Sequence, residues 1–139
     1  MLKSAIEKIK ENGGRVTSAR KNILDLILAS KVPVSAVDIL NSLKKRKLHF
    51  NKTTIYREIN FLTKIGFVRP LYLTSGIVHY ESNLLPHHHH LICTKCKKIE
   101  EIDCFLDEEK VNKKIEKSGF KLENHILEFH GVCRTCAQN

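Results

Sequence analysis

Two Cys-x-x-Cys pairs set the strongest constraint on what this chain can fold into. Cys93 and Cys96 form one, Cys133 and Cys136 the other, and 36 residues separate them. One such pair alone reads as a redox motif. Two complete the ligand set of a closed, tetrahedral Zn²⁺ site. Any fold that satisfies them brings the C-terminal end back against the middle of the chain, so metal binding becomes folding free energy. The fifth cysteine, Cys104, reads as a small buried hydrophobe rather than as a ligand or sensor thiol.

The surrounding composition fits that reading. With 139 residues the chain suits one domain or two small ones, and 42% hydrophobic residues can build a core. Residues 1–14 carry charges throughout and lack a secretory apolar stretch, and no apolar run approaches the ~18 residues of a membrane span. A cytoplasmic protein without membrane association is expected, and there five cysteines favour metal chemistry over structural disulfides. Aromatics are 6% and Trp is absent, which argues against an aromatic-walled sugar or drug pocket.

Charge divides the chain. Residues 1–82 hold 15 Lys and Arg against 6 Asp and Glu, whereas residues 83–139 hold 9 of each, so the whole net charge of +9 lies in the first part. All five cysteines and six of the eight histidines lie beyond residue 83. The expected organisation is a basic, polyanion-binding domain over 1–82 and a metal-binding domain over 83–139.

Within the basic part, Ser4–Asn12 reads as a helix closed by Gly13-Gly14. Thr17 caps a second helix carrying Ile23, Leu24, Ile27 and Leu28. Ser35, with Asp38 three residues on, caps a third with Val37, Ile39, Leu40 and Leu43 inside. Asn51 or Lys52 opens a fourth, ended by Gly66. On it Ile55, Ile59 and Leu62 share an inward face, while Thr53, Arg57, Asn60 and Lys64 share the opposite one, flanked by Tyr56. Hydroxyl, guanidinium, amide and ammonium groups on one exposed stripe suit base-edge and phosphate contacts. The segments Phe67–Leu73 and Ile77–Glu81, joined by Thr74-Ser75-Gly76, read as a β-hairpin. Helices followed by a hairpin describe a winged helix-turn-helix with the fourth helix in the major groove.

In the second part, His87-His88-His89-His90 runs into the apolar Leu91-Ile92-Cys93, a strand signal. Strand side chains alternate, so His87 and His89 face one side and His88 and His90 the other. Two separate His-x-His chelates result, to be completed from Glu81, Glu100, Glu101, Glu108 and His125. Such mixed shells suit Fe²⁺, Mn²⁺ or Zn²⁺. Asp107-Glu108-Glu109 opens a helix ending near Ser118-Gly119, and Phe120–Leu122 and Ile126–Val132 read as strands. The overall class is α+β: a winged helix-turn-helix followed by a small α/β dimerisation domain with a four-cysteine zinc site. Pairing of exposed edges or helices would give a homodimer, which suits palindromic DNA.

These residues together resemble the ferric uptake regulator family. The resemblance rests on Arg15-Val16-Thr17-x-x-Arg20, Thr53-Thr54-Ile55-Tyr56-Arg57, Tyr80-Glu81, the histidine run, Leu91-Ile92-Cys93-x-x-Cys96 and Gly131-x-Cys133-x-x-Cys136. It implies a homodimeric, metal-dependent repressor of A·T-rich palindromic operators on double-stranded DNA, with structural Zn²⁺ on the four paired cysteines. It implies a sensing site of Glu81, His88, His90 and Glu101, and an accessory site of His87, His89, Glu108 and His125. Arg15 would enter the minor groove, Tyr56 and Arg57 would contact bases or backbone, and Arg20 would join the DNA-binding set. Two departures stand out. Pro33 occupies a position where the family usually supplies a further sensing His, and His89 stands where it usually has an acid.

Glu101 favours a ferrous-iron sensor, because peroxide-sensing relatives typically carry Asp there. Zinc and peroxide sensing are the alternatives within the family. A metalloenzyme with a His/Glu-held catalytic ion is the alternative outside it, but no clear nucleophile or substrate pocket is legible, and catalysis leaves the basic half unexplained.

Overall fold

The computed structural model describes residues 2–73, 76–123, 125 and 127–138; for residues 2–4 and 108 it describes the backbone alone. The chain forms two compact units, Met1–Leu85 and Pro86–Asn139.

The first unit holds α1 (Leu2–Glu11), α2 (Ser18–Ala29), β1 (Val34–Ser35), α3 (Ala36–Lys45), α4 (Lys52–Lys64), β2 (Val68–Tyr72) and β3 (Val78–Ser82). Side-chain caps start its helices as the sequence signals. The Thr17 hydroxyl accepts from the Arg20 N–H, and Asn51 Oδ1 accepts from the Thr54 N–H at 2.7 Å. Ser35 and Asp38 form a reciprocal capping box. Gly66, at φ +77°, turns the chain out of α4 where a side chain would strain the backbone. One continuous core joins Ala5 and Ile9 of α1, Ile23, Leu24 and Ile27 of α2, Ile39 and Leu43 of α3, and Ile55, Ile59 and Leu62 of α4. Val37, expected inside, is 52% exposed, because its place in the first turn of α3 points it away from that core. Gly14 is held by packing: a Cβ there would lie 2.5 Å from the Phe61 ring.

The hairpin β2–β3 is antiparallel, pairing Arg69 with Glu81 and Pro70 with Tyr80. A two-residue strand with no signal in the linear pattern, β1, pairs Val34 with Tyr80 and extends the wing to the order β1-β3-β2. Of the expected hairpin turn, Thr74 and Ser75 lie outside the described residues.

The second unit holds β4 (His88–Cys93), β5 (Ile99–Asp103), α5 (Glu108–Glu116), β6 (Glu128–Gly131) and α6 (Arg134–Ala137). Its sheet has the order β5-β4-β6, with β5 antiparallel and β6 parallel to the central β4. Asp107 caps α5 by accepting from the Lys110 N–H. Phe120–Leu122, expected as a strand, has no strand structure: both edges of β4 are taken by β5 and β6, and Phe120 is 72% exposed. The last strand begins at Glu128 rather than at Ile126, which itself lies outside the described residues. Among the described residues of this unit only Ile92 and Cys93 are buried apolar side chains. That is too little to hold about 50 residues by apolar burial alone; domains this small usually need metals or association. No helix among the described residues is long and apolar enough to cross a membrane.

Candidate metal centres and nucleic-acid interface

The parallel β4–β6 pairing assembles the cysteines. It places Cys93 opposite Gly131, and Thr94 N–H donates to the Gly131 carbonyl at 2.7 Å, which delivers Cys133 and Cys136 beside the first knuckle. The positive φ of Lys97, +64°, folds that knuckle back so that the Cys93 N–H reaches the Lys98 carbonyl. All four sulfurs lie within 4.8 Å of one another. Cys96 Sγ and Cys133 Sγ are 3.7 Å apart. A tetrahedron with Zn–S bonds of about 2.3 Å has S···S edges of about 3.8 Å. The cluster therefore fits a zinc site.

The electrostatics call for a cation there. The backbone N–H groups of Cys133 and Cys96 point at Cys93 Sγ, at 3.4 and 3.5 Å, and pull its thiol down to about 6. Cys136, hydrogen-bonded by the thiols of Cys96 and Cys133, is pushed up to about 12. Four sulfurs this close cannot all ionise unaided; a divalent ion lets them.

The histidines separate as alternation requires. The rings of His88 and His90 stand 4.9 Å apart on one side of β4, and those of His87 and His89 stand 4.9 Å apart on the other. Across the strand pair, His90 faces Glu101, and His88 Nε2 lies 3.8 Å from Glu101 Oε1. His88 Nδ1–H donates to the Pro86 carbonyl at 2.8 Å, which fixes the tautomer and leaves Nε2 as the ligating nitrogen. His88 and His90 are buried, and Glu101 is exposed beside them. Glu81 belongs to β3 of the first unit, where it is buried and accepts from Arg69 Nε.

On the other side of β4, His87 Nε2 meets His125 Nε2 at 3.2 Å, and the His125 ring lies 5.5 Å from that of His89. Burial holds His89 below the ordinary imidazole range, aided by neighbouring His87 and His125. The Glu108 side chain, expected in this set, lies outside what is described. Cys104 takes part instead: its Sγ is 3.3 Å from His89 Nε2. Sequence reading missed this because strand register is not written in a linear pattern. The antiparallel pairing of β4 with β5 ends at His88 and Asp103, and Cys104 follows directly, within reach of His89.

On α4 the stripe is outward. Thr53, Tyr56, Arg57, Asn60 and Lys64 are all exposed, and Arg15 is exposed before α2. Arg20 differs from the rest of the expected DNA-binding set. Its Nε donates to Glu58 Oε2 at 2.6 Å, Nη1 donates to the Arg15 carbonyl, and its guanidinium lies 3.7 Å from the centroid of the Phe61 ring. Its charge is used inside the unit, anchoring α4.

Residues 11–130 match the family model described as the ferric uptake regulator family. The ferric uptake regulation protein of Synechococcus elongatus is 38% identical over 138 residues, covering 95% of this chain and 92% of that protein. The structure of the Helicobacter pylori ferric uptake regulator, which reveals three functional metal-binding sites, superposes with a TM-score of 0.86 at 27% identity, covering 100% of this chain and 95% of that one. A zinc uptake regulator complexed with zinc and DNA superposes with a TM-score of 0.65 at 26% identity, covering 99% of this chain and 93% of that one.

Proposed function

Because this chain belongs to the ferric uptake regulator family of metal-responsive transcriptional regulators, we propose that it is a repressor controlled by ferrous iron. The observation that carries the reading is the cluster of His88, His90 and Glu101 around one side of β4. Two imidazoles and a carboxylate, without sulfur, suit Fe²⁺ and exchange it more readily than a four-thiolate site exchanges zinc. Glu81 of the first unit is the fourth ligand of the proposed sensing set. His87, His89, Glu108 and His125 make up the proposed accessory set. Structural Zn²⁺ on Cys93, Cys96, Cys133 and Cys136 holds the second unit together.

The DNA contacts are assigned to Arg15, Thr53, Tyr56, Arg57, Asn60 and Lys64, with α4 in the major groove of an A·T-rich palindrome. Arg20 serves this surface by positioning α4 through Glu58. A homodimer matches the two halves of the operator, and the thin apolar interior of the second unit, with Phe105, Phe120 and Val132 exposed, supports assembly. The setting is cytoplasmic.

The test is operator binding under anaerobic conditions by zinc-retaining protein, with and without Fe²⁺, Mn²⁺ or Zn²⁺. Stimulation by Fe²⁺ is expected, despite Pro33 standing where the family usually has a ligand. Equal affinity with and without every metal would overturn the reading.

A further inference from the structure

Three imidazoles and a thiol converge on the side of β4 opposite the proposed sensing set. The ligand atoms of His87, His89 and Cys104 all lie within 4.8 Å of one another. His125 adjoins them, with its ring 4.7 Å from His87 and 5.5 Å from His89. The two closest approaches are 3.2 Å between His87 Nε2 and His125 Nε2, and 3.3 Å between His89 Nε2 and Cys104 Sγ. Bonds of about 2.0–2.1 Å to nitrogen and about 2.3 Å to sulfur give tetrahedral edges of about 3.4 Å for N···N and about 3.6 Å for N···S. Both contacts match those edges to within a few tenths of an ångström. Hydrogen bonding alone explains each contact singly. It does not explain why three metal-ligating side chains, from the β4 strand region and the end of β5, gather within 4.8 Å with His125 beside them.

We propose that Cys104 is a ligand of the accessory site, making it a His₃Cys centre of His87, His89, His125 and Cys104 that takes Zn²⁺. The inference rests on the accessory-site reading above and replaces its carboxylate, Glu108, with a thiolate. That exchange changes the metal chosen. A thiolate with three imidazoles favours zinc over the harder Mn²⁺. Binding expels the Cys104 thiol proton to solvent, so zinc uptake at this site releases a proton. The centre is accessible: an open cleft of about 240 Å³, lined by His87, Leu106, Asn112, Glu123 and His125, leads to it.

The test uses full-length protein already holding one Zn²⁺ per chain on its four paired cysteines. Co²⁺ is added, and the near-ultraviolet thiolate-to-cobalt charge-transfer band is followed. The proposed sensing set contains no sulfur and is silent in this band. The expected result is a new band that disappears in Cys104→Ser and persists in the His88→Ala, His90→Ala double variant. The affinity for a second Zn²⁺ should fall at least about tenfold in Cys104→Ser, the least that losing even an outer partner of a metal costs. Retention of the first zinc shows that each variant is folded. If wild-type protein binds Co²⁺ at this side with only imidazole signatures, or if Cys104→Ser binds the second Zn²⁺ equally well, the thiolate inference falls while the accessory site stands. If His87→Ala and His125→Ala change no metal binding at all, the accessory-site reading falls and the inference with it. Alkylation of Cys104 in wild-type protein provides a check without substitution, since bound Zn²⁺ should protect it and unchanged reactivity would overturn the proposal.

Discussion

Arg20 Nε donates to Glu58 Oε2 at 2.6 Å, with the two side chains only 11% and 4% exposed. The pair ties α2 to the inward edge of α4, and Phe61 covers the guanidinium. Removing one partner of a buried pair strands the other charge, at a cost of about 3–5 kcal/mol. Arg20→Ala should therefore destabilise the first unit by about that much in denaturant unfolding. The double variant Arg20→Met, Glu58→Leu should recover most of the loss, because an apolar pair leaves no buried charge. An Arg20→Ala variant with unchanged stability but weaker DNA binding would return Arg20 to the DNA-contact surface.

Arg57 is exposed, and its nearest ion pair, to Glu58 at 3.7 Å, is a loose one. Arg57→Ala should leave stability within about 0.5 kcal/mol. Operator affinity should fall by about 1–3 kcal/mol if Arg57 reads a base edge, or the salt slope should drop by about one if it contacts phosphate. A titration of labelled operator at several salt concentrations separates the two.

His88 and His90 stand together on one side of β4, with their rings 4.9 Å apart. Their double replacement by alanine should abolish metal-stimulated operator binding while the four-cysteine zinc remains, as measured by metal analysis of the purified protein. Metal-dependent switching that survives the double variant would remove these residues from the sensing role.

The four-cysteine cluster fits a zinc site, and the second unit should depend on zinc held there. Structural zinc sites supply about 10–16 kcal/mol of apparent binding free energy, and only Ile92 and Cys93 are buried apolar side chains among its described residues. Chelation, or Cys96→Ser, should therefore unfold 86–139 as followed by circular dichroism and proteolysis. The first unit, with its own core, should stay folded.

Burial and neighbouring imidazoles hold His89 below its ordinary pKa of 6.5. Between the folded and unfolded values the unfolded chain binds more protons, so stability rises with pH there. The contribution is complete above about 6.5 and is lost as pH falls toward the lower folded value. With the histidine sites metal-free, acidification below about pH 6.5 should lower the melting temperature of the second unit. His89→Asn should show a shallower pH slope.

Much of this protein is legible from local rules. The caps at Thr17, Ser35, Asn51 and Asp107 mark where helices begin because each side chain satisfies N–H groups within three residues of itself. The inward Ile55, Ile59 and Leu62 and the outward Thr53, Arg57, Asn60 and Lys64 follow from helical period alone. The division of the four histidines into two pairs follows from strand alternation. The two Cys-x-x-Cys pairs require one shared site wherever the intervening chain runs.

What the linear pattern does not contain is register and partnership across distance. The short strand β1, the parallel run of β6 along β4 and the absence of structure at Phe120–Leu122 depend on which segments meet, and the backbone groups of many segments could pair equally well. Arg20 and Glu58 are 38 residues apart, and only the packing of α2 on α4 turns a basic residue of a basic half into an internal strut. Cys104 joins the histidines for the same reason. Its neighbours in sequence are an acid and a phenylalanine, but the antiparallel β4–β5 pairing sets it beside β4, where its thiol lies close to His87 and His89.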